Sequence, residues 1–124
     1  GIYRLLNDDI DDFLSHFNLY LSAFDSKHGV IICGDFNINI LNNNIKTVEY
    51  LNILASHCFL SCINGYTRVV NNSATCIDHI FVKNFEIDNL NPIILKCDIT
   101  DHFATIINID YGKIKTTHTK NILK

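Results

Sequence analysis

The order of helix-like and strand-like segments is the feature that most constrains this fold. Apolar residues recur at helical spacing from Ile10 to Phe24, after the capping candidates Asn7 and Asp8, which predicts a helix over about residues 8–24. A second helix is predicted over about residues 45–56. Helices early and strands late favour a layered α/β arrangement. The strand-like segments are Ile2-Tyr3, Val30–Cys33 ended by Gly34, and residues 59–63, 67–70, 76–82, 93–97 and 104–109.

Composition and charge narrow the class of protein. With 48% hydrophobic and 19% charged residues, 124 residues can form a packed core in one domain or less. No apolar run approaches the ~18 residues of a membrane span, so no membrane partner is expected. The net charge of −3 does not provide the overall positive charge that is typical of proteins that bind nucleic acid. Lysines crowd residues 113–124, which we interpret as a basic tail or linker.

The five cysteines indicate a reducing environment. Their number is odd, their spacing is scattered and no CxxC pair occurs, so neither a disulfide framework nor a zinc ribbon is indicated. A zinc site could be built from His57, Cys58 and Cys62 with His79, but buried single thiols are the preferred interpretation. We therefore expect an intracellular protein, nuclear or cytoplasmic.

The first group of residues that could carry chemistry is Gly34-Asp35-Phe36-Asn37, directly after a buried strand. In extended backbone, Asp35 and Asn37 would point the same way. A carboxylate beside an amide offers a general base and a neutral hydrogen-bond donor, which phosphodiester cleavage requires. By itself, however, Gly-Asp-x-Asn is also a common turn sequence.

Two further groups place an acid next to a histidine. Alternation in the strand Ile77–Val82 puts Asp78 on one face with Ile80 and Val82, and His79 on the other. An acid among apolar residues needs a partner, either an imidazole or backbone N–H groups. Asp101-His102 follows Thr100 between two predicted strands, where it could serve a metal and a phosphate or be a solvated loop.

The order and spacing of these groups resemble the C-terminal half of the endonuclease/exonuclease/phosphatase superfamily. Its signature is a strand ending in GDFN, a Thr-Arg pair, an IDHIF strand and then TDHF. The run from Thr67 through the turn 71–74 to Phe81 resembles the branch carried by non-LTR retrotransposons, and Ile2-Tyr3-Arg4 resembles the start of its Tyr-Arg-Pro-Pro motif. The resemblance covers about residues 1–110, and a domain boundary is expected near residue 112.

The resemblance implies half of a four-layered α/β-sandwich with a mixed, mostly antiparallel sheet and flanking helices. It also implies Mg²⁺ or Mn²⁺ as cofactor and DNA as substrate. The implied roles are water activation by Asp35, phosphate binding by Asn37 and Tyr3, orientation of His102 by Asp78, and charge stabilisation by His102. Asp101 would position the metal. The implied substrate-binding residues are Thr67, Arg68 and Arg4.

The chain departs from the family at several positions. Thr100 stands where the family has Ser, and Leu5-Leu6 replaces two prolines. The family's metal-facing Asn and main metal-binding Glu belong to a first half ahead of Gly1, so we expect a piece of a longer polypeptide that is inactive alone. Partners implied are that first half, which would cover an apolar face and an open edge, and a downstream reverse transcriptase. The alternatives are an inactive remnant that acts as a binding module, and a phosphatase or phospholipid-cleaving member of the superfamily.

Overall fold

The computed structural model describes residues 1–110, which contain two helices and eight strands. The helices are α1 (Ile10–Ser22) and α2 (Ile45–Ser56), and a 3-10 turn spans Ile87–Asn89. The strands are β1 (Ile2–Tyr3), β2 (Val30–Asp35), β3 (Leu60–Ser61), β4 (Arg68–Val70), β5 (Ser73–Thr75), β6 (Asp78–Lys83), β7 (Leu90–Leu95) and β8 (Ala104–Ile109). The predicted α/β class with mostly antiparallel pairing is confirmed.

Helix α1 begins later than predicted, because Asp9 and not Asn7 or Asp8 caps it. The Asp9 carboxylate accepts two amide protons of the first turn, at 2.8 and 3.2 Å. This satisfies donors that have no partner inside the helix. The helical spacing then gives one buried face, as predicted, formed by Leu14, Phe17 and Leu21.

Helix α2 has the predicted bounds but not the predicted buried face. The Asn44 side chain caps it by accepting the Thr47 amide at 2.9 Å. The sequence predicts an apolar side formed by Val48, Leu51, Leu54 and Ala55. Of these, Leu54 is buried and Leu51 packs partly buried against the core, whereas Val48 and Ala55 are exposed. The buried residues are instead Thr47, Tyr50 and Leu54, because the polar tip of Tyr50 finds a partner in the interior.

A four-stranded sheet in the order β1-β2-β6-β3 carries both helices on one face. Strands β1 and β2 are parallel, and the other pairs are antiparallel. Gly34 does not end β2 as predicted, because the strand continues to Asp35. A Cβ at Gly34 would lie 1.6 Å from the Ile2 carbonyl oxygen, so only glycine lets β1 approach so closely.

Two hairpins pair separately from this four-stranded sheet. Strands β4 and β5 pair with each other, as do β7 and β8. The β7–β8 hairpin covers β6 on the face away from the helices, where Ile80 and Val82 are buried with Ile94 and Ile107. The neighbouring β2 residues on that face, Ile31 and Cys33, remain exposed.

Other strand bounds differ from the sequence expectation. Residues 59–63 contribute only the two residues of β3, and β5 was not predicted. Pro92 lies inside β7 and not at its entrance, which an edge strand tolerates because the missing N–H faces away from the partner strand. No helix among residues 1–110 is long and apolar enough to cross a membrane.

Candidate active site

The pairing of three strands brings Tyr3, Asp35 and Asp78 into one row. Tyr3 is the register partner of Asp35, and Asp35 is the register partner of Asp78. Residues directly opposite in a sheet point to the same face. The three side chains therefore share the face away from the helices, at the end of the sheet, and the exposed Tyr3 lies at its rim.

His102 joins this row from a distant part of the chain. Its Nδ1 lies 2.9 Å from the Asp78 carboxylate, and both side chains are partly buried. An ionised carboxylate only accepts hydrogen bonds, so Nδ1–H is the donor. The Nε2 atom is then left available on the other side of the ring, and this is the imidazole partner that the position of Asp78 predicts.

Asp35, Asp78 and His102 form the cluster of this part of the chain that could hold a metal ion. Each offers one ligand atom, and these atoms lie within 4.8 Å of one another. The pKa of Asp35 is raised, chiefly because burial disfavours the charged carboxylate. The hydrogen bond from the Asn37 amide lowers this pKa, and the nearby charge of Asp78 raises it. Two carboxylates at this distance suit the oxygen preference of Mg²⁺ and Mn²⁺, and a divalent cation would offset their repulsion. The donor set therefore fits the predicted cofactor.

Asn37 is held beside Asp35 by a turn in the left-handed region. Its φ is 51°, its backbone amide donates to the Asp35 carboxylate at 3.1 Å, and its side-chain amide donates to the Arg4 carbonyl at 2.6 Å. Asparagine tolerates this backbone conformation better than most residues. The turn replaces the extended geometry that the sequence suggested, yet it keeps the carboxylate and the amide adjacent.

Thr67 holds the backbone on which Asp78 stands, behind the Asp78–His102 pair. Its side chain is fully buried, and its Oγ1 accepts the amides of Ile77 and Asp78 at 3.0 and 3.1 Å. Its carbonyl accepts the Phe103 amide at 2.6 Å, next to His102. Thr67 thus ties both halves of the pair together. Its hydroxyl does not reach the surface, and its predicted role in substrate binding stays a prediction.

Arg68 and Asp101 pair with each other at the edge of the site. Arg68 Nε donates to the Asp101 carboxylate at 2.8 Å, and both side chains are exposed. This pairing lowers the pKa of Asp101. Asp101 does not belong to the carboxylate–histidine cluster, so its role as a metal ligand stays a prediction, as does the contact of Arg68 with substrate.

Arg4 lies under the site and not on its surface. Only 5% of it is exposed, and its guanidinium donates to backbone carbonyls, at 2.9 Å for that of Asp8. The predicted contact of Arg4 with substrate would require this loop to move, and it stays a prediction.

A buried polar network that the sequence did not reveal supports β6 from the helix side. His79 is fully buried, with Nδ1 2.9 Å from the Tyr50 hydroxyl and Nε2 3.0 Å from the Cys76 carbonyl. Its ring stacks on Phe36, with centroids 5.1 Å apart. Burial lowers the pKa of His79 to about 4. Alternation placed His79 on this face, but nothing in the sequence named Tyr50 as its partner.

The alternative zinc site is not formed. His57 and Cys58 lie at the end of α2, whereas His79 is enclosed in the core, and no cluster that joins them occurs among residues 1–110. Burial raises the pKa of the Cys62 thiol, which disfavours the thiolate that zinc would need. The basic tail at 113–124 and the domain boundary near 112 lie outside the described residues.

The arrangement combines what hydrolysis of a phosphate ester requires. Asp35 is a carboxylate with a raised pKa, Asn37 is a neutral hydrogen-bonding group next to it, and His102 is an imidazole oriented by Asp78. A shallow cleft of about 400 Å³ extends from the two carboxylates across the sheet. Its other lining residues are Ile31, Cys33, Gly34, Ile80, Thr105 and Ile107. The polar end of this cleft is the candidate reaction centre.

Comparison with solved structures reveals a similar fold. The endonuclease domain of TRAS1, a telomere-specific non-LTR retrotransposon, superposes with a TM-score of 0.73 at 15% sequence identity, over 91% of this chain. The chain spans 57% of the length of that domain. Curated protein sequences contain no significant match. Residues 3–102 match the endonuclease/exonuclease/phosphatase family, and the segment includes every site residue described above. The chain therefore belongs to the endonuclease/exonuclease/phosphatase family.

Proposed function

We propose that this chain carries the C-terminal part of a metal-dependent DNA endonuclease of the non-LTR retrotransposon type. The observation that carries the proposal is the 2.9 Å hydrogen bond between His102 and Asp78, beside Asp35 on the neighbouring strand. The family match supports hydrolysis of phosphate esters, and the fold similarity to a retrotransposon endonuclease domain supports DNA as the substrate.

In the proposed reaction, Asp35 takes a proton from a water molecule whose oxygen attacks phosphorus. A raised pKa brings the carboxylate nearer to the operating pH, which improves a general base. Asn37 holds a non-bridging oxygen without repelling it, and Tyr3 contacts the phosphate from the rim. The phosphorus–oxygen bond to the leaving group breaks, and the leaving oxygen takes a proton from solvent water, which leaves one phosphate end and one hydroxyl end.

His102 stabilises the negative charge that develops on the phosphate. Its Nδ1–H is fixed by Asp78, so its Nε2 side is directed away from that carboxylate, and the protonated ring can donate from there. Asp78 gains its rigidity from Thr67, whose hydroxyl accepts the Asp78 amide. This arrangement resembles other sites in which a carboxylate sets the orientation of a catalytic imidazole.

The proposed cofactor is Mg²⁺ or Mn²⁺, held by Asp35 and Asp78, with Asp101 as an additional ligand once it leaves Arg68. A bound divalent cation supplies charge neutralisation at the phosphate and lowers the pKa of a bound water. Two or three carboxylates are few ligands for such an ion. We therefore propose that a preceding half of the same domain adds further ligands and that the 124 residues alone are inactive.

The same preceding half is the proposed partner for the open sheet face. Ile31 and Cys33 are exposed beside the site, and the chain spans only 57% of the TRAS1 domain. Exposed apolar strand faces normally pack against another layer. A nuclear or cytoplasmic location and a linked reverse transcriptase remain part of the proposal.

A plasmid-nicking assay tests the proposed function. The 124-residue chain is compared with a hybrid that joins to it the part of the TRAS1 domain that it does not match, in Mg²⁺, in Mn²⁺ and in chelator. We expect nicking by the hybrid only with metal, and its loss with Asp35→Ala or His102→Ala. Asp88→Ala, which removes an exposed acid in the 3-10 turn, is the matched control.

The outcomes separate the alternatives. Nicking that survives either Asp35→Ala or His102→Ala would remove the assignment of the site. A folded hybrid that hydrolyses phospholipids or inositol phosphates but not DNA would favour the phosphatase alternative. A folded hybrid with no hydrolytic activity would favour an inactive remnant.

A further inference from the structure

Arg4 is a buried cation held almost entirely by main-chain atoms. Its guanidinium donates to the carbonyls of Asp8 at 2.9 Å, Asn37 at 3.4 Å and Phe36 at 3.5 Å, and lies 5.5 Å from the centroid of the Phe13 ring. It forms no ion pair with any carboxylate in residues 1–110, and its Nε atom has no partner. Burying a charge without an ion-pair partner is unfavourable, and only its hydrogen bonds to the backbone offset that cost.

The backbone of Arg4 contacts the same turn. Its amide donates to the Asp35 carbonyl at 2.9 Å, and its carbonyl accepts the Asn37 side-chain amide at 2.6 Å. Together with the guanidinium contacts, Arg4 therefore touches three successive residues, Asp35, Phe36 and Asn37.

The turn that Arg4 holds contains a residue in the left-handed region. Asn37 has a φ of 51°, and a left-handed conformation of a non-glycine residue persists when the surrounding structure determines it. The two terminal nitrogens of the guanidinium bind different parts of the loop: Nη2 donates to the Asp8 carbonyl at 2.9 Å, and Nη1 lies 3.5 and 3.4 Å from the carbonyls of Phe36 and Asn37. An ammonium group is a single point of charge and cannot span both.

We propose that Arg4 is a positioning residue that holds the Asp35–Asn37 turn in its reactive geometry and takes no part in binding substrate through its guanidinium. Its effect on catalysis rests on the proposed function, but its effect on the turn does not. The proposal also gives a reason for the position of Tyr3, since the residue that follows Tyr3 is bonded to the turn that carries Asp35.

Nuclear magnetic resonance of the full 124-residue chain tests the geometry of the turn and does not depend on catalytic activity. The probe is the Asn37 side-chain amide, whose protons exchange slowly with water while they are bonded to the Arg4 carbonyl. Arg4→Lys keeps the charge but removes the planar fork. We expect exchange of these protons to rise at least 10-fold, with a change of the Asn37 chemical shifts and little change at Phe81 in the core.

Lys83→Met is the matched control. Lys83 is the other buried cation described, with a carbonyl contact to Phe24 at 3.3 Å and the Phe59 ring 5.6 Å away, but it lies at the far end of β6 from Asp78. We expect this variant to fold and to leave the Asn37 signals unchanged. Unchanged Asn37 signals in Arg4→Lys, or equal changes in Lys83→Met, would overturn the proposal.

A second variant covers the case in which Arg4→Lys does not fold. Glycine adopts positive φ freely, so Asn37→Gly should remove the need for Arg4 and restore folding of Arg4→Lys. Failure of the double variant to fold, when Asn37→Gly alone folds, would also overturn the proposal.

Nicking by the hybrid provides the separate functional readout. There, Arg4→Lys should lower kcat about 10- to 100-fold with KM nearly unchanged, because small displacements of reacting groups have effects of this size. A hybrid with no nicking would contradict the proposed function and leave the resonance result standing. A lower kcat without any change at Asn37 would contradict the positioning role alone.

Discussion

Asp35 and Asp78 are direct register partners on the antiparallel strands β2 and β6, so two carboxylates stand side by side on one face of the sheet. Like charges opposite each other destabilise a sheet. Here one of them is relieved by hydrogen bonding to His102, whereas burial and the Asp78 charge raise the pKa of Asp35. The site therefore keeps an unfavourable electrostatic arrangement in the absence of a bound cation.

Replacement of Asp35 by Asn should stabilise the chain near neutral pH. Because the pKa of Asp35 is raised in the folded state above its usual 3.8, ionisation destabilises the native protein as the pH rises from 3.8 through the raised pKa. The variant should melt at a higher temperature than the parent at pH 7, and the difference should vanish below the usual pKa. Thermal melts at several pH values, without divalent metal, measure this.

Asp25→Asn is the control with the opposite sign. Backbone amides of His28 and Lys27 lower the pKa of Asp25 to about 2, so its ionisation favours the folded state above pH 3.8, an effect lost as the pH falls towards 2. This variant should melt at a lower temperature at pH 7. Equal effects of the two substitutions would contradict the electrostatic explanation.

Replacement of Asp78 by Asn should separate folding from catalysis. An amide can still accept a hydrogen bond from His102, but it carries no charge and can favour the wrong tautomer of the ring. In the hybrid we expect kcat to fall by about two to four orders of magnitude, measured by plasmid relaxation. Asp88→Asn should retain full activity. Activity of Asp78→Asn within a factor of two of the parent would show that His102 does not depend on this carboxylate.

Protonation of His79 should make the chain sensitive to acid. Burial lowers its pKa from 6.5 to about 4, so the stability it contributes is present above pH 6.5 and is lost as the pH falls through 4. The difference corresponds to about 3 kcal/mol in the free energy of unfolding. Urea unfolding of His79→Gln should show a flatter decline between pH 6.5 and 4. Replacement of the exposed His16 by Gln should leave the decline unchanged.

Addition of a single methyl group at Gly34 should detach β1. The new Cβ would overlap the Ile2 carbonyl oxygen, so the pairing of β1 with β2 must open. We expect Gly34→Ala to lower the free energy of unfolding by roughly 1–3 kcal/mol in urea titrations, with a shift of the Tyr3 resonances. At Gly1 the new Cβ would have only an ordinary contact of 3.7 Å, so Gly1→Ala should behave like the parent. A stable Gly34→Ala chain with Tyr3 unmoved would exclude this close approach.

Local signals in the sequence predict part of this fold. The periodicity predicts the bounds of α2, and alternation assigns Asp78 and His79 to opposite faces of β6. Pairing between distant segments is not encoded locally. The separation of the β4–β5 and β7–β8 hairpins from the main sheet was therefore missed.

The site shows the same division. The motif order indicates Asp35, Asp78 and His102 as a group, and the structure brings these three together. Two other residues of the predicted site behave differently: Thr67 and Arg4 are buried and bond to the backbone, although a sequence offers them equally well as surface contacts. Whether a polar side chain faces inward depends on which distant carbonyl or amide lies across from it, and periodicity cannot supply that information.

His102 enters the site on a segment whose backbone pairs with β4 and not with the four-stranded sheet, through bonds from Phe103 to Thr67 and from Val69 to Asp101. Proteins open in cooperative units of unequal stability, and this small unit can open while the sheet stays closed. Formation of the Asp78–His102 pair and folding of the whole chain are then two equilibria, each with its own free energy. Protection of the Val69 and Phe103 amides from deuterium exchange reports the first, and protection in β2 and β6 reports the second.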